Sequence, residues 1–149
     1  MKDIEVYLLH KSKDKASVIC DEKNITPSIL RGFSAPVNLE TDFNINEYIH
    51  ILKFDNDPFN KWDAAQNLYL NCYLNNINLN IFIKTLRELI LKENIHNSLK
   101  ASLLELPSRN IFENLANNVD PILVFNRRKD LMRDISLGLQ EILETNVLK

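Results

Sequence analysis

The residue types that most often bind metals or act as nucleophiles are few in this chain and widely separated. The three histidines, His10, His50 and His96, form no His-Glu-x-x-His motif and no pair at i, i+4 that could hold a metal from one helix face. The two cysteines, Cys20 and Cys72, form no Cys-x-x-Cys, and Cys72 falls in an amphipathic helical pattern that favours packing over catalysis. The sequence therefore predicts no catalytic, cofactor-binding or metal-binding residue.

Phosphate binding and acid–base catalysis are equally poorly supported. Gly32 and Gly138 are the only glycines, whereas a loop that cradles phosphate needs several so that its backbone N–H groups can approach. Asp55 and Asp57 stand directly before Pro58, and this arrangement is typical of a helix start. Helix capping is therefore favoured over acid–base work for these two carboxylates, and His96 is expected in a loop or capping position.

Charge and hydropathy exclude several classes of partner. The chain has 18 Lys and Arg against 20 Asp and Glu, scattered without a basic block, so neither nucleic acid nor an anionic membrane is expected as a partner. Acids stand in the first five residues, where a secretory signal would be apolar, and no run of about 18 apolar residues occurs. With two cysteines outside any disulfide pattern, a cytoplasmic location is expected.

Periodicity predicts a change of structure along the chain. Residues 4–9 and 16–20 are typical of short strands joined by a turn, and Pro27 and Pro36 bracket an extended crossover segment. From about residue 45 the apolar spacing becomes helical, and it stays so to the end. The predicted fold is mainly α: an irregular α-helical bundle or solenoid of five or six helices, with a short N-terminal β-hairpin remnant.

Several helical stripes are predicted to face the core. One contains the sole tryptophan, Trp62, and the last helix is expected to bury a face that includes Phe125 and Met132. The full stripes are Trp62, Ala65, Tyr69 and Cys72; Leu79, Phe82, Ile83, Leu86, Leu89 and Ile90; Ile95, Leu99 and Leu103; and Phe125, Met132, Ile135, Leu139 and Ile142. Another short helix is expected to carry Ile111, Phe112 and Leu115.

Two stretches carry a resemblance to a known family. Residues 27–37, PSILRGFSAPV, and residues 55–68, DNDPFNKWDAAQNL, resemble the junction and first long helix of the helical domain of bacterial aminopeptidase N, also called alanyl aminopeptidase. Residues 104–108 and 119–122 are similar to two later landmarks of that family. The resemblance implies that residues 1–39 end a β-sandwich domain and its crossover segment, and that residues 40–149 begin the C-terminal α-helical domain.

The family consists of zinc metallopeptidases that remove N-terminal residues from peptides. Their His-Glu-x-x-His helix, third glutamate ligand and Gly-x-Met-Glu-Asn motif belong to a preceding domain, so no catalytic or zinc-binding position carries over onto this sequence. The resemblance therefore implies a non-catalytic piece that supplies the interdomain junction and the first helices covering the active site. Its implied partners are the remaining domains of the parent enzyme and, through them, peptide substrates, while zinc is a cofactor of the parent only.

One alternative function remains open at this point. The chain could be a stand-alone helical module that binds another protein or a peptide through a solenoid surface. Within the family resemblance, the unpaired edge of the predicted hairpin either folds against the helices or recruits a second copy of the chain, and the homodimer is the expected outcome.

Overall fold

The computed structural model describes residues 25–37, 39–74, 77–115 and 120–147, together with the isolated residues Val6, Leu8, Lys15 and Ser17. The predicted hairpin of residues 4–9 and 16–20 lies outside the described segments, so it stays a prediction, as does the dimer built on it.

Within the described segments the chain is all helical, which confirms the predicted mainly α fold. A short 3-10 turn at Arg31–Phe33 precedes six α-helices. The helices are α1 Ile45–Phe54, α2 Pro58–Tyr73, α3 Leu79–Ile90, α4 Asn97–Leu103, α5 Arg109–Leu115 and α6 Pro121–Val147.

Polar residues mark the helix starts, because the first N–H groups of a helix need acceptors outside it. The amide oxygen of Asn44 accepts from the N–H groups of Asn46 and Glu47 at the start of α1. Asp57 caps α2 with Pro58 directly behind it. Nδ1 of His96 accepts from the Ser98 N–H at 3.2 Å at the start of α4, so its predicted capping role is confirmed.

Helices α2 and α3 form the centre of the domain. Helix α2 contacts α1, α4 and α6, and α3 contacts the same three helices. Tyr69 on α2 meets Phe82 on α3 edge to face, with ring centroids 4.8 Å apart, and its hydroxyl donates to the Leu103 carbonyl at 2.9 Å. The Lys61 ammonium, also buried, donates to the Leu52 carbonyl near the end of α1 at 2.7 Å. This core joins α1, α2, α3 and α4 through a few fully buried side chains.

The predicted phase of the last helix was wrong in its first half. Phe125 and Met132 are 52% and 53% exposed, while Val124 and Leu131 are buried in their place. In the second half Ile135, Leu139 and Ile142 are buried as predicted. Each wrongly placed residue stands one position after the buried one, so the buried face is rotated by about 100° from the predicted stripe.

Trp62 also departs from its predicted place in the core. The other members of its stripe, Ala65, Tyr69 and Cys72, are buried, but Trp62 is only partly buried. Its ring lies 5.9 Å from that of Phe59 at the surface between α2 and α4. Trp62 therefore lies at the edge of the core, and Tyr69 is the fully buried aromatic member of the stripe.

Candidate functional site

The crossover segment is attached to the loop between α1 and α2 by the side chain of Arg31. Nη1 of Arg31 donates to Oδ1 of Asp55 at 2.9 Å and to Oγ of Ser28 at 2.6 Å. Nη2 donates to the side-chain oxygen of Asn56. The side chain of Asp55 is only 4% exposed, so the guanidinium neutralises a carboxylate that is almost fully withdrawn from water.

A second attachment runs through the cap of α2. Oδ1 of Asp57 accepts from the Asn60 N–H at 3.0 Å, and Oδ2 accepts from the Gly32 N–H at 2.8 Å. One carboxylate thus caps a helix and holds the crossover backbone. We call Ser28, Arg31, Gly32, Asp55, Asp57 and Asn60 the junction cluster.

The backbone around these attachments is in the left-handed region at three residues. Leu30, Gly32 and Phe33 have φ angles of +54°, +62° and +52°. Left-handed backbone costs roughly 1–2 kcal/mol for a residue with a side chain, so Leu30 and Phe33 need compensation from their surroundings. Two contacts hold this backbone in place. The Gly32 N–H donates to Asp57, and the ring centroid of Phe33 lies 5.0 Å from that of Phe59.

Hydrogen bonds also set the ionisation of Asp55. Burial raises the pKa of this carboxyl, but hydrogen bonds from the Ser28 side chain, the Asp57 N–H and Arg31 outweigh burial and leave the pKa below its usual value. Asn60 completes the network by donating to Ser28 Oγ at 2.7 Å. The cluster therefore contains an ionised carboxylate with fixed donors and leaves it little freedom to transfer protons.

A row of aromatic rings continues from the junction cluster. Phe33, Phe59 and Trp62 follow one another, with centroid distances of 5.0 Å and 5.9 Å. Beside them an open groove of about 410 Å³ lies between α2 and α4, lined by Pro58, Phe59, Trp62, Ser98, Leu99 and Ser102. The groove offers apolar surface and two hydroxyls, which can bind a side chain but supply no acid, base or strong nucleophile.

Sequence reasoning found part of the cluster and missed the rest. The capping role predicted for Asp57 is confirmed, and Asp55 accepts from the Asp57 N–H at 2.9 Å as a turn residue would. Arg31 was not singled out, although a lone arginine between two prolines, facing a later Asp-Asn-Asp run, is a signal for such an ion pair. The Asp57 to Gly32 bond leaves no sequence signal, because the donor is a backbone group.

The remaining candidate residues, His50 and Cys72, lie outside the junction cluster. His50 is exposed, with its ring 4.9 Å from Phe54. Cys72 is buried, and burial raises the pKa of its thiol to about 12, in line with the predicted packing role. Among the described residues no three His, Cys, Asp or Glu side chains are grouped to hold a metal ion, so this part of the chain offers no ligand set for the zinc that the resemblance implies for the parent enzyme. No helix in the described part of the chain is long and apolar enough to cross a membrane.

Comparison with known proteins identifies the family to which the chain belongs. The family described as "Domain of unknown function (DUF3458_C) ARM repeats" matches residues 45–148, and since this is most of the chain, the protein belongs to that armadillo-repeat family. The match begins at the first residue of α1 and ends just beyond α6. The matched residues therefore include all six helices that the described part of the chain forms.

The individual relatives are aminopeptidases. The chain is 30% identical to aminopeptidase N of Escherichia coli over 125 residues, which are 77% of the chain and 14% of the relative. It is 29% identical to aminopeptidase N of Caulobacter vibrioides over 152 aligned positions, 96% of the chain and 17% of the relative. A match of 44% over 43 residues links it to aminopeptidase N of Haemophilus influenzae. The resemblance to bacterial aminopeptidase N is confirmed, and the chain spans only 14% and 17% of the length of the first two of these curated relatives.

Proposed function

We propose that this chain is a non-catalytic part of a zinc aminopeptidase that removes N-terminal residues from peptides. It supplies the interdomain junction and the first helices that cover the active site, while the zinc and the catalytic residues belong to other domains of the parent enzyme. Residues 1–39 would end the preceding sandwich domain, residues 40–149 would begin the helical domain, and the parent enzyme would work in the cytoplasm.

The observation that carries the proposal is the alignment of 96% of the chain with aminopeptidase N of Caulobacter vibrioides. Because this alignment extends beyond the armadillo repeats of residues 45–148, it includes the crossover segment as well as the helices. The junction cluster supports the same role: Arg31 and Gly32 tie the crossover to Asp55 and Asp57. Such a double attachment suits a segment that must transmit the position of one domain to the next.

A replacement experiment tests the proposal. The matched segment of the Caulobacter enzyme is exchanged for this chain, and hydrolysis of an alanyl chromogenic substrate is compared with the unaltered enzyme and with a variant lacking the segment. The exchange should keep more than about one-hundredth of the activity, since a displacement of about 1 Å at an active site can already cost a hundredfold. The variant lacking the segment should be inactive or insoluble.

A folded exchange protein without activity would contradict the proposal. That result would favour the stand-alone interaction module instead, for which the open groove between α2 and α4 offers exposed apolar surface. An Arg31→Met exchange protein serves as a further comparison, because it removes the guanidinium from the junction cluster and leaves the helical core unchanged.

A further inference from the structure

The first half of α6 exposes large apolar side chains beside its buried face. Phe125 and Met132 are 52% and 53% exposed, and Ile122 is 68% exposed. Phe125 and Met132 stand seven residues apart, nearly two full turns, so they form one line along the helix. The same line continues after seven more residues to Leu139, which is 1% exposed. The exposed residues therefore extend a seam that is already an interface in the second half of the helix.

Basic residues flank this seam on both sides. Arg128 and Lys129 follow Phe125 by three and four residues and precede Met132 by four and three, which places one on each side of the line. Arg128 also donates to the Pro107 carbonyl at 3.2 Å, with its guanidinium carbon 5.9 Å from the Phe112 ring centroid. We call Phe125, Arg128, Lys129 and Met132 the α6 seam.

In repeat proteins, an exposed apolar face of this kind packs against a neighbouring repeat. Each armadillo repeat buries apolar surface against its neighbours, and a repeat at the end of the array needs a polar outer face. The α6 seam is apolar at its centre, and the matched segment is only 14% and 17% of the length of two relatives of the chain. A face of this kind fits an internal position in an array.

We infer that the α6 seam is the docking surface for an amphipathic helix of an adjoining armadillo repeat in the parent polypeptide. The inference rests on the proposed function. The docking helix presents an apolar stripe to Phe125 and Met132 and carboxylates on both sides of that stripe, opposite Arg128 and Lys129. A second copy of α6 fits less well, because antiparallel self-pairing would bring the basic flanks of two identical seams together.

Thiol labelling tests whether the seam is covered. Met132→Cys and the matched control Leu137→Cys are made in a Cys20→Ser background, where Cys72 remains buried. Leu137 is 62% exposed and lies about 140° from Met132 around the helix. Labelling rates with a soluble disulfide reagent are measured in the isolated chain and in the Caulobacter exchange protein.

In the isolated chain both cysteines should react at similar rates. In the exchange protein the cysteine at 132 should react at least about tenfold more slowly, because it is reached only by local opening, while the cysteine at 137 keeps its rate. A Lys129→Glu change should lower the unfolding temperature of the exchange protein and leave that of the isolated chain unchanged.

Three results would overturn the inference. Equal labelling at position 132 in the isolated chain and in an active exchange protein would show an open seam, while the proposed function would stand. Protection of position 132 that grows with the concentration of the isolated chain would assign the seam to a second copy. An exchange protein that is insoluble, or folded and inactive, contradicts the proposed function, and the inference falls with it.

Discussion

The carboxylate of Asp57 accepts a hydrogen bond from the backbone N–H of Gly32, with 2.8 Å between nitrogen and Oδ2. The residues are 25 positions apart, and the other oxygen of the same carboxylate caps α2 through the Asn60 N–H. The start of the longest central helix and the position of the crossover segment are therefore fixed by one side chain. Because each role uses a different oxygen of the carboxylate, a mutation can remove one role and keep the other.

An Asp57→Ser change should keep the cap and lose the attachment. Serine is a good N-cap residue, but its one short oxygen cannot also reach Gly32. The free energy of unfolding should therefore fall by about 1 kcal/mol or somewhat more, as is typical for the loss of a hydrogen bond to a charged group. Amide hydrogen exchange should show faster exchange at Gly32, with the first turn of α2 still protected. Asn44→Ser, at the cap of α1, is the matched control and should leave Gly32 unchanged. Unchanged protection of Gly32 in the Asp57→Ser variant would refute the attachment.

The pH dependence of stability should contain opposite contributions from Asp55 and Asp63. The pKa of Asp55 is lowered, so its contribution is present above the unfolded pKa and is lost as pH falls through the folded value. The pKa of Asp63 is raised by burial, so its contribution is full below the unfolded pKa and is lost as pH rises through the folded value.

Asp55→Asn should therefore destabilise the protein at pH 7, and the deficit should shrink in acid. Asp63→Asn should be neutral or stabilising at pH 7 and lose that advantage in acid. Urea unfolding of both variants and the native chain at several pH values between 7 and 3 measures the two differences. Deficits of the same sign and pH trend for both variants would contradict these assignments.

Contact between α3 and α6 should make Gly138 intolerant of a side chain. A Cβ at Gly138 would lie 2.8 Å from Cδ1 and 2.9 Å from Cγ2 of Ile83. Alanine gains about 1 kcal/mol over glycine in a helix, but overpacking of a core costs typically 1–3 kcal/mol, and Cγ2 is held close to the α3 backbone. Gly138→Ala should therefore destabilise the chain in urea unfolding. Combined with Ile83→Ala, which removes both close atoms, the same change should become stabilising; strictly additive effects would exclude the contact.

Trp62 should contribute less to stability than its size suggests. Because it is only partly buried at the groove beside Phe59, Trp62→Ala should cost less than the 3–5 kcal/mol typical of a buried aromatic residue. Tyr69→Ala, at a fully buried position, is the matched comparison and should cost more. Tryptophan fluorescence should show an emission maximum between the buried and water-exposed limits. A larger loss for Trp62→Ala than for Tyr69→Ala would contradict the observed burial.

A local signal in the sequence predicted the start of α2, because Asp-Pro at residues 57–58 acts through neighbouring atoms. The phase of α6 could not be predicted in the same way. Its first half has apolar residues on both the buried and the exposed sides, and periodicity cannot distinguish Val124 and Leu131 from Phe125 and Met132. The choice depends on which side meets α3 and α5, which is a property of the tertiary structure.

The junction cluster was predictable only where its contacts are short-range. Capping by Asp57 follows from the next few residues, whereas the contacts of Arg31 with Asp55 and Asn56 span 24 and 25 positions and depend on how the crossover folds back. The family resemblance in residues 27–37 and 55–68 supplied what periodicity lacked, since it marked both halves of the junction together.

Hydrolysis of an alanyl chromogenic substrate by the isolated chain, saturated with zinc, tests the central claim most directly. The active Caulobacter exchange protein serves as the positive control. Because the chain is proposed to contribute neither the metal-activated water nor the general base, its rate should equal that of buffer. Turnover that follows the chain through purification, disappears with a chelator and returns with zinc would contradict the account.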